Sequence, residues 1–320
     1  MDTRQGMKNK MDTSKTPLFP KRVFLLSIGV LFNVGLVSCE AAPVETKVSK
    51  PASQTISLPE KPGPTNTGPK DKTILKPIAG LTITKDDTVL ENVHITGPIN
   101  VKANNVTIRN FYLDAKDAPY GIRANFEKTG LKFEQGEIVN YSSAAVFGAG
   151  FTAIALNVHE SGGDGFKVQG KGGPTLIERC WIHHIGKKEG AHADGNQTIG
   201  GSDITFRHNF FDLPHDVPAP YKSNACFILQ TKTGPITNFL IDSNWLNGGG
   251  WTIYAPAKDG TNIQIINNKF GRDYRFGLIV GKDATTFTGN VWEDTGEPLQ
   301  FNARGNVINP NHKKSVKVVN

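Results

Sequence analysis

One short pattern returns along most of the chain: apolar, any, apolar, two residues, often Asn, any, apolar. It reads "VTIRNFYL" at 106–113, "LKFEQGEI" at 131–138, "ITFRHNFF" at 204–211, "FLIDSNWL" at 239–246, "IQIINNKF" at 263–270 and "TTFTGNVW" at 285–292. Weaker copies are "AIALNVH" at 153–159 and "LIERCWI" at 176–182. Aligned on the Asn-like position, the copies fall at Phe111, Gly136, Asn157, Cys180, Asn209, Asn244, Asn268 and Asn290, with spacings of 25, 21, 23, 29, 35, 24 and 22. No long amphipathic helix interrupts them. A repeat of this length made of strands alone constrains the chain to an all-β solenoid. One coil cannot bury its apolar side chains alone, but stacked coils can, with strands roughly 4.8 Å apart. A sandwich would need tight hairpin turns, which are scarce here. A propeller repeat would be about twice as long.

Side chains alternate across a strand. Two residues past the Asn-like position stand Leu113, Ile138, Ile182, Phe211, Leu246, Phe270 and Trp292, a row that faces the core. One residue further the row faces outward: Asp114, Val139, Glu160, His183, Asp212, Asn247, Gly271 and Glu293. Four adjacent coils thus present Glu160, His183, Asp212 and Asn247 in one column. Outward polar residues are ordinary on a solenoid. A histidine between two acids is nevertheless a place where proton affinities couple.

Two coils are long, and the extra length sits at one corner. The ordinary path from the Asn-like residue to the next strand takes seven residues, as from Asn157 to Asp164; from Cys180 to Asp194 it takes 14, and from Asn209 to Asn224 it takes 15. The insertions are "KKEGAHA" (187–193) and "PHDVPAPYKS" (214–223). Long loops on a rigid scaffold usually carry function. Beyond the corner, "DGFKV" (164–168) and "DGNQT" (194–198) are thirty residues apart, and Asn224 follows thirty later. Asp164, Asp194 and Asn224 should therefore stack, with Lys167 beside Gln197. Asp-Gly and Asn are also plain turn formers. The other reading aims both carboxylates into a groove walled by the insertions. The histidine-rich stretch 183–197 lacks compact tetrahedral zinc spacing. Asp164, Asp194 and Asp216 form a donor set compatible with calcium, although the leading expectation is a site without a cofactor.

The repeat resembles the right-handed parallel β-helix of the pectate-lyase-like superfamily over roughly residues 78–301. That resemblance implies one single-domain parallel β-helix, here with two long corner loops. The superfamily includes polysaccharide lyases, glycoside hydrolases, epimerases, tailspikes and adhesins, so it says little about reaction type.

The ends read differently. Lys21 and Arg22 precede "VFLLSIGVLFNVGLVS", an apolar run too short for an ordinary membrane span, which ends in "LVSC" at Cys39. This resembles the lipobox of bacterial lipoproteins. The resemblance implies a signal peptide over 1–38, lipidation of Cys39, and a cell-envelope location. Glu40 stands where the inner-membrane retention signal would have Asp, which points to the outer membrane. A plain secretory signal with an incidental cysteine is the alternative. Residues 39–77 are rich in Pro, Thr and Lys and read as a tether. Residues 302–320 read as a solvated tail. Of the net charge of +7, residues 1–38 supply six basic and two acidic side chains, leaving about +3 for the rest. No motif or basic surface points to nucleic acid. Cys180 and Cys226 do not make a disulfide framework and read as buried thiols.

Two function classes follow. The first is an enzyme acting as a monomer on an acidic polysaccharide. β-Elimination needs a base, a group that neutralises the uronate carboxylate, and an acid for the leaving oxygen. The expected catalytic set is Lys222, His192, His183, Tyr221 and Asp194. Lys167, Gln197, Asn224, Glu160, Asp212, Asn247 and Asp164 are expected to bind substrate. Glycoside hydrolysis would instead use two carboxylates, Glu160 and Asp212. The second class is a non-catalytic glycan binder or envelope protein, with Trp245, Trp251 and Tyr254 stacking on sugar rings.

Overall fold

The computed structural model describes residues 59–170, 172–255, 259–281 and 286–309. The expected signal segment, Cys39 and residues 310–320 of the expected tail lie outside them. The chain winds into a parallel β-helix of three faces. The first face carries the strands Phe151–Ile154, Thr175–Glu178, Gly201–Arg207, Ile236–Asp242, Thr261–Ile266 and Thr286–Thr288. The second carries Asn157–Val158, Trp181–His183, Phe210–Leu213, Trp245–Gly248, Lys269–Phe270 and Val291–Trp292. In the early coils, Val89–Thr96, Thr107–Asp114 and Leu131–Val139 bend across both faces. The third face runs from Thr82–Ile83 through Asp164–Val168, Ala193–Thr198 and Ser223–Leu229 to Gly277–Val280. Every pairing between these strands is parallel. The only helical element among the described residues is a single 3-10 turn, Lys72–Ile74.

The apolar rows pack inside as the alternation requires. Leu113, Ile138, Val158, Ile182, Phe211, Leu246, Phe270 and Trp292 are in register on the second face and buried. Phe206 of the first face packs on Phe166, Phe211, Phe227 and Phe239. Cys180 and Cys226 are free, buried thiols.

The corner from the first to the second face is sharp because one residue per coil takes the left-handed conformation: Asn110, Gln135, Ala155, Arg179, His208, Ser243 and Asn267, with φ between 48° and 57°. The residue after it enters a buried ladder. The amides of Cys180, Asn209, Asn244 and Asn268 each donate to the side-chain Oδ1 of the next coil's Asn at 2.9 Å. Each Asn amide group in turn donates to a main-chain carbonyl of the preceding coil, those of Ile177, Phe206, Ile241 and Ile265. Such burial is tolerable only because every polar group is met. Upstream the ladder turns apolar. Leu156 donates its amide to Cys180 Sγ at 3.4 Å, and at Gly136 any Cβ would lie 2.1 Å from the Phe111 ring.

The ladder corrects the alignment of one coil. Leu156, not Asn157, holds the Asn-like position, since Val158 pairs with Ile182. The residue in line with His183 is therefore His159. Glu160 leaves the outward column and falls one position later.

Both chain ends depart from expectation. The tether was expected to run to residue 77, but the chain from Pro59 onward lies along the second face. Lys61 sits 3.8 Å over the Phe210 ring and pairs with Glu293. The Gly68 amide donates to the Ala155 carbonyl, and Lys72 pairs with Glu137 at 2.7 Å. The strand Lys76–Ala79 then joins Val89–Thr96. At the other end, Phe301 and Val307 pack on the core, so the expected tail begins inside the folded unit. Proline-rich composition reports the absence of helix and hairpin, not the absence of partners.

Candidate functional site

Both insertions leave the corner between the second and third faces. His183 pairs with Asp212 before them, and Ala193 pairs with Ser223 after them. They touch each other: the Lys222 amide donates to the Ile185 carbonyl at 3.3 Å, and a Cβ on Gly186 would lie 2.1 Å from the Lys222 carbonyl oxygen.

This corner also opens on left-handed residues. Asn140, Glu160 and His184 have φ of 56°, 51° and 46° and occupy equivalent places in consecutive coils. A left-handed residue leaves the strand alternation, so its side chain projects at the corner. Tyr221 of the second insertion reaches both. Its hydroxyl donates to a Glu160 carboxylate oxygen, and its ring lies edge-on to His184 at 4.8 Å. Lys187 of the first insertion pairs with the other Glu160 oxygen at 2.7 Å. The Glu160 bond raises the proton affinity of Tyr221 above the ordinary phenol value. Tyr221 therefore stays a neutral, protonated phenol. Burial works to raise Glu160, but the bonds from Lys187 and Tyr221 outweigh it and hold its pKa low. Beside this cluster is a groove of about 510 Å³ lined by Asp114, Lys116, Asp117, Asn140, Glu160, Lys187 and Lys188 among others. A separate, smaller recess is lined by His184, Asp212 and Tyr221 among others. Burial raises Asp212, with Lys61 opposing.

His183 lies beneath the cluster. It is buried, stacked on Trp181 at 3.6 Å and on His159 at 4.8 Å, and bonded to Asn157 and His184. Burial, with help from His159 and His184, lowers its pKa to about 2. It stays neutral and does not face the groove. His159 bonds Glu137 at 3.3 Å.

Asp164, Asp194 and Asn224 stack as the spacing predicts, but not facing a groove. Asp164 is 4% exposed and Asp194 1%. Asp164 Oδ1 accepts the Asp194 amide at 2.9 Å, and Asp194 Oδ1 accepts from Asn224 Nδ2 at 3.0 Å. They form a second buried ladder that meets main-chain donors. Burial raises Asp194 well above the carboxylate range, and the Asp164 charge adds to it. Burial also raises Asp164, although Lys167 opposes it at 3.3 Å. Lys167 and Gln197 are neighbours on the third face, half-buried. Asn247 pairs with Asp212 and bonds Asp273 at 3.2 Å. His192 and Lys222 are exposed on their insertions, and neither side chain bonds another described residue. Among the described residues no three His, Cys, Asp or Glu side chains converge as metal ligands, and Asp216 is exposed on its loop. Trp245 belongs to the second face while Trp251 and Tyr254 belong to the third, so the three do not make one platform.

The structure thus gathers Tyr221, Glu160 and Asp212 around His184 and Lys187, two residues that sequence reasoning passed over. One signal for His184 was on the page: an adjacent pair of histidines at a strand end, where the second must turn the corner.

No curated protein sequence matches the chain. The catalytic domain of a GH87 alpha-1,3-glucanase in complex with tetrasaccharides aligns at 11% identity with a TM-score of 0.29, over 74% of this chain and 71% of that one. The family profile described as right handed beta helix region matches residues 138–320, and the chain belongs to that family.

Proposed function

We propose that the corner cleft is the active site of a carbohydrate-active enzyme, a lyase that cleaves a uronate-containing polysaccharide by β-elimination. The observation that carries this reading is Tyr221, kept protonated by its bond to Glu160 and set against the exposed His184. His184 takes the proton from C5 of the uronate. The C4–O bond breaks, and Tyr221 protonates the leaving oxygen. Lys187, Lys188 and Lys222 supply positive charge for the substrate carboxylate. His184 and Tyr221 line a recess of about 50 Å³, and the groove of about 510 Å³ bounded by Glu160, Lys187 and Lys188 has the volume for neighbouring sugar units. The test is a panel of acidic glycans followed by ultraviolet absorbance of the conjugated unsaturated uronate. Cleavage that yields only saturated reducing ends would overturn the lyase reading.

That second outcome has its own support. Glu160 and Asp212 are carboxylates pushed in opposite directions, one low and one high, on either side of Tyr221 and His184. Two carboxyls so divided are the equipment of a glycoside hydrolase. Retention of a glycan without turnover would instead favour a binding protein. For placement, we propose a lipid anchor on Cys39 and the outer membrane. Identical membrane fractionation of Cys39→Ala and the parent would refute it.

A further inference from the structure

Under the cleft, the order of hydrogen bonds fixes which nitrogen of His184 carries a proton. His183 Nε2 lies 2.9 Å from Asn157 Oδ1, and His183 Nδ1 lies 2.6 Å from His184 Nδ1. An amide oxygen only accepts, so the Nε2 of a neutral His183 is the donor. Its Nδ1 is then the acceptor. The contact with His184 requires a donor, which can only be His184 Nδ1–H. The remaining nitrogen of a neutral His184, Nε2, is left with its lone pair. His183 is kept in place by the Trp181 and His159 rings on its faces. His159 is tied in turn to Glu137 and, through it, to Lys72.

We propose that His183 is a positioning residue: by accepting from His184 Nδ1–H, it makes His184 Nε2 the basic nitrogen of the cleft. A carboxylate does this for the base of a catalytic triad; here a neutral imidazole backed by Asn157 does it without adding charge. The role of that nitrogen as the proton acceptor rests on the lyase reading above. The assignment of the proton does not.

Nitrogen–proton correlation spectra of the labelled full chain, at a pH where the imidazoles are neutral, read the tautomer directly. His184 should show the Nδ1–H form and His183 the Nε2–H form. An Nε2–H form of His184 in the parent overturns the proposal. In His183→Phe, which keeps a ring in the stack, His184 should revert toward the Nε2–H form and turnover should fall by roughly 10-fold or more. Asn157→Asp, which keeps an acceptor, should preserve the parent tautomers. If His183→Phe leaves the His184 tautomer unchanged, His183 does not position it. Loss of the lyase reading has a different signature: parent tautomers as stated, with His184→Ala retaining full turnover.

Discussion

The two corners that bound the second face use the same left-handed turn differently. At the first, the coils from Asn209 to Asn290 repeat the same arrangement, and the side chain after the turn goes inward to an amide ladder. At the second, consecutive coils place Asn140, Glu160 and His184 at the turn, and two of the following loops are long. Uniformity at the first corner makes a spine, because a buried amide must find the same partner in the next coil. Variety at the second corner is tolerated because its side chains meet solvent and loops. Titratable side chains of mixed kinds collect where the stack does not demand repetition.

The largest effect should come from breaking the uniform corner. Asn244→Leu removes the acceptor for both the Asn209 amide and its side chain, and the donor to Phe206. Stability should fall by about 3 kcal/mol or more, read by chemical denaturation, since each orphaned buried group costs about 1–3 kcal/mol. If the loss is negligible, the ladder is not a spine. At the variable corner, His184→Ala should reduce kcat about 100-fold while leaving the melting temperature nearly unchanged. Full activity would remove the cleft from consideration.

A smaller and pH-dependent effect belongs to the buried aspartates. A carboxyl whose pKa is raised by folding holds its proton in the native state at pH values where the unfolded chain has lost it. Its contribution is therefore complete below the ordinary carboxylate pKa and is lost as pH rises toward the raised native value. Asp194→Asn keeps an amide-type acceptor in the ladder and removes the titration. It should be more stable than the parent at neutral pH and show a flatter stability–pH curve. A steeper curve would contradict the assignment. The least effect is expected from Lys61→Ala. Its pair with Glu293 is partly exposed, and such pairs contribute under about 1 kcal/mol. A larger loss in thermal unfolding would show that the segment from Pro59 is part of the core structure.

Much of the fold was legible because a solenoid writes its core in alternating residues, and the row from Leu113 to Trp292 could be read directly. The register failed at one coil, where Leu156 fills the ladder and Asn157 beside it imitates the missing residue. That single slip placed Glu160 beside His183 instead of beside His184. The corner residues were illegible for a different reason: a left-handed residue obeys no alternation, so no periodic rule states where it points. Asp164 and Asp194 were correctly stacked but wrongly aimed, since spacing gives the column and not its depth. The partners of Lys61 could not be seen locally, because Glu293 is 232 residues away.

That distance has a mechanical meaning. A linear pile of repeats holds its last member by one interface only, and its ends peel first. Here the chain before the first coil reaches two later coils, at Phe210 and at Glu293, and the early coils at Tyr112 and Glu137. It acts as a buckle across the pile. A late coil cannot lift away without also loosening a contact made by the beginning of the chain, so fraying at one end is reported at the other.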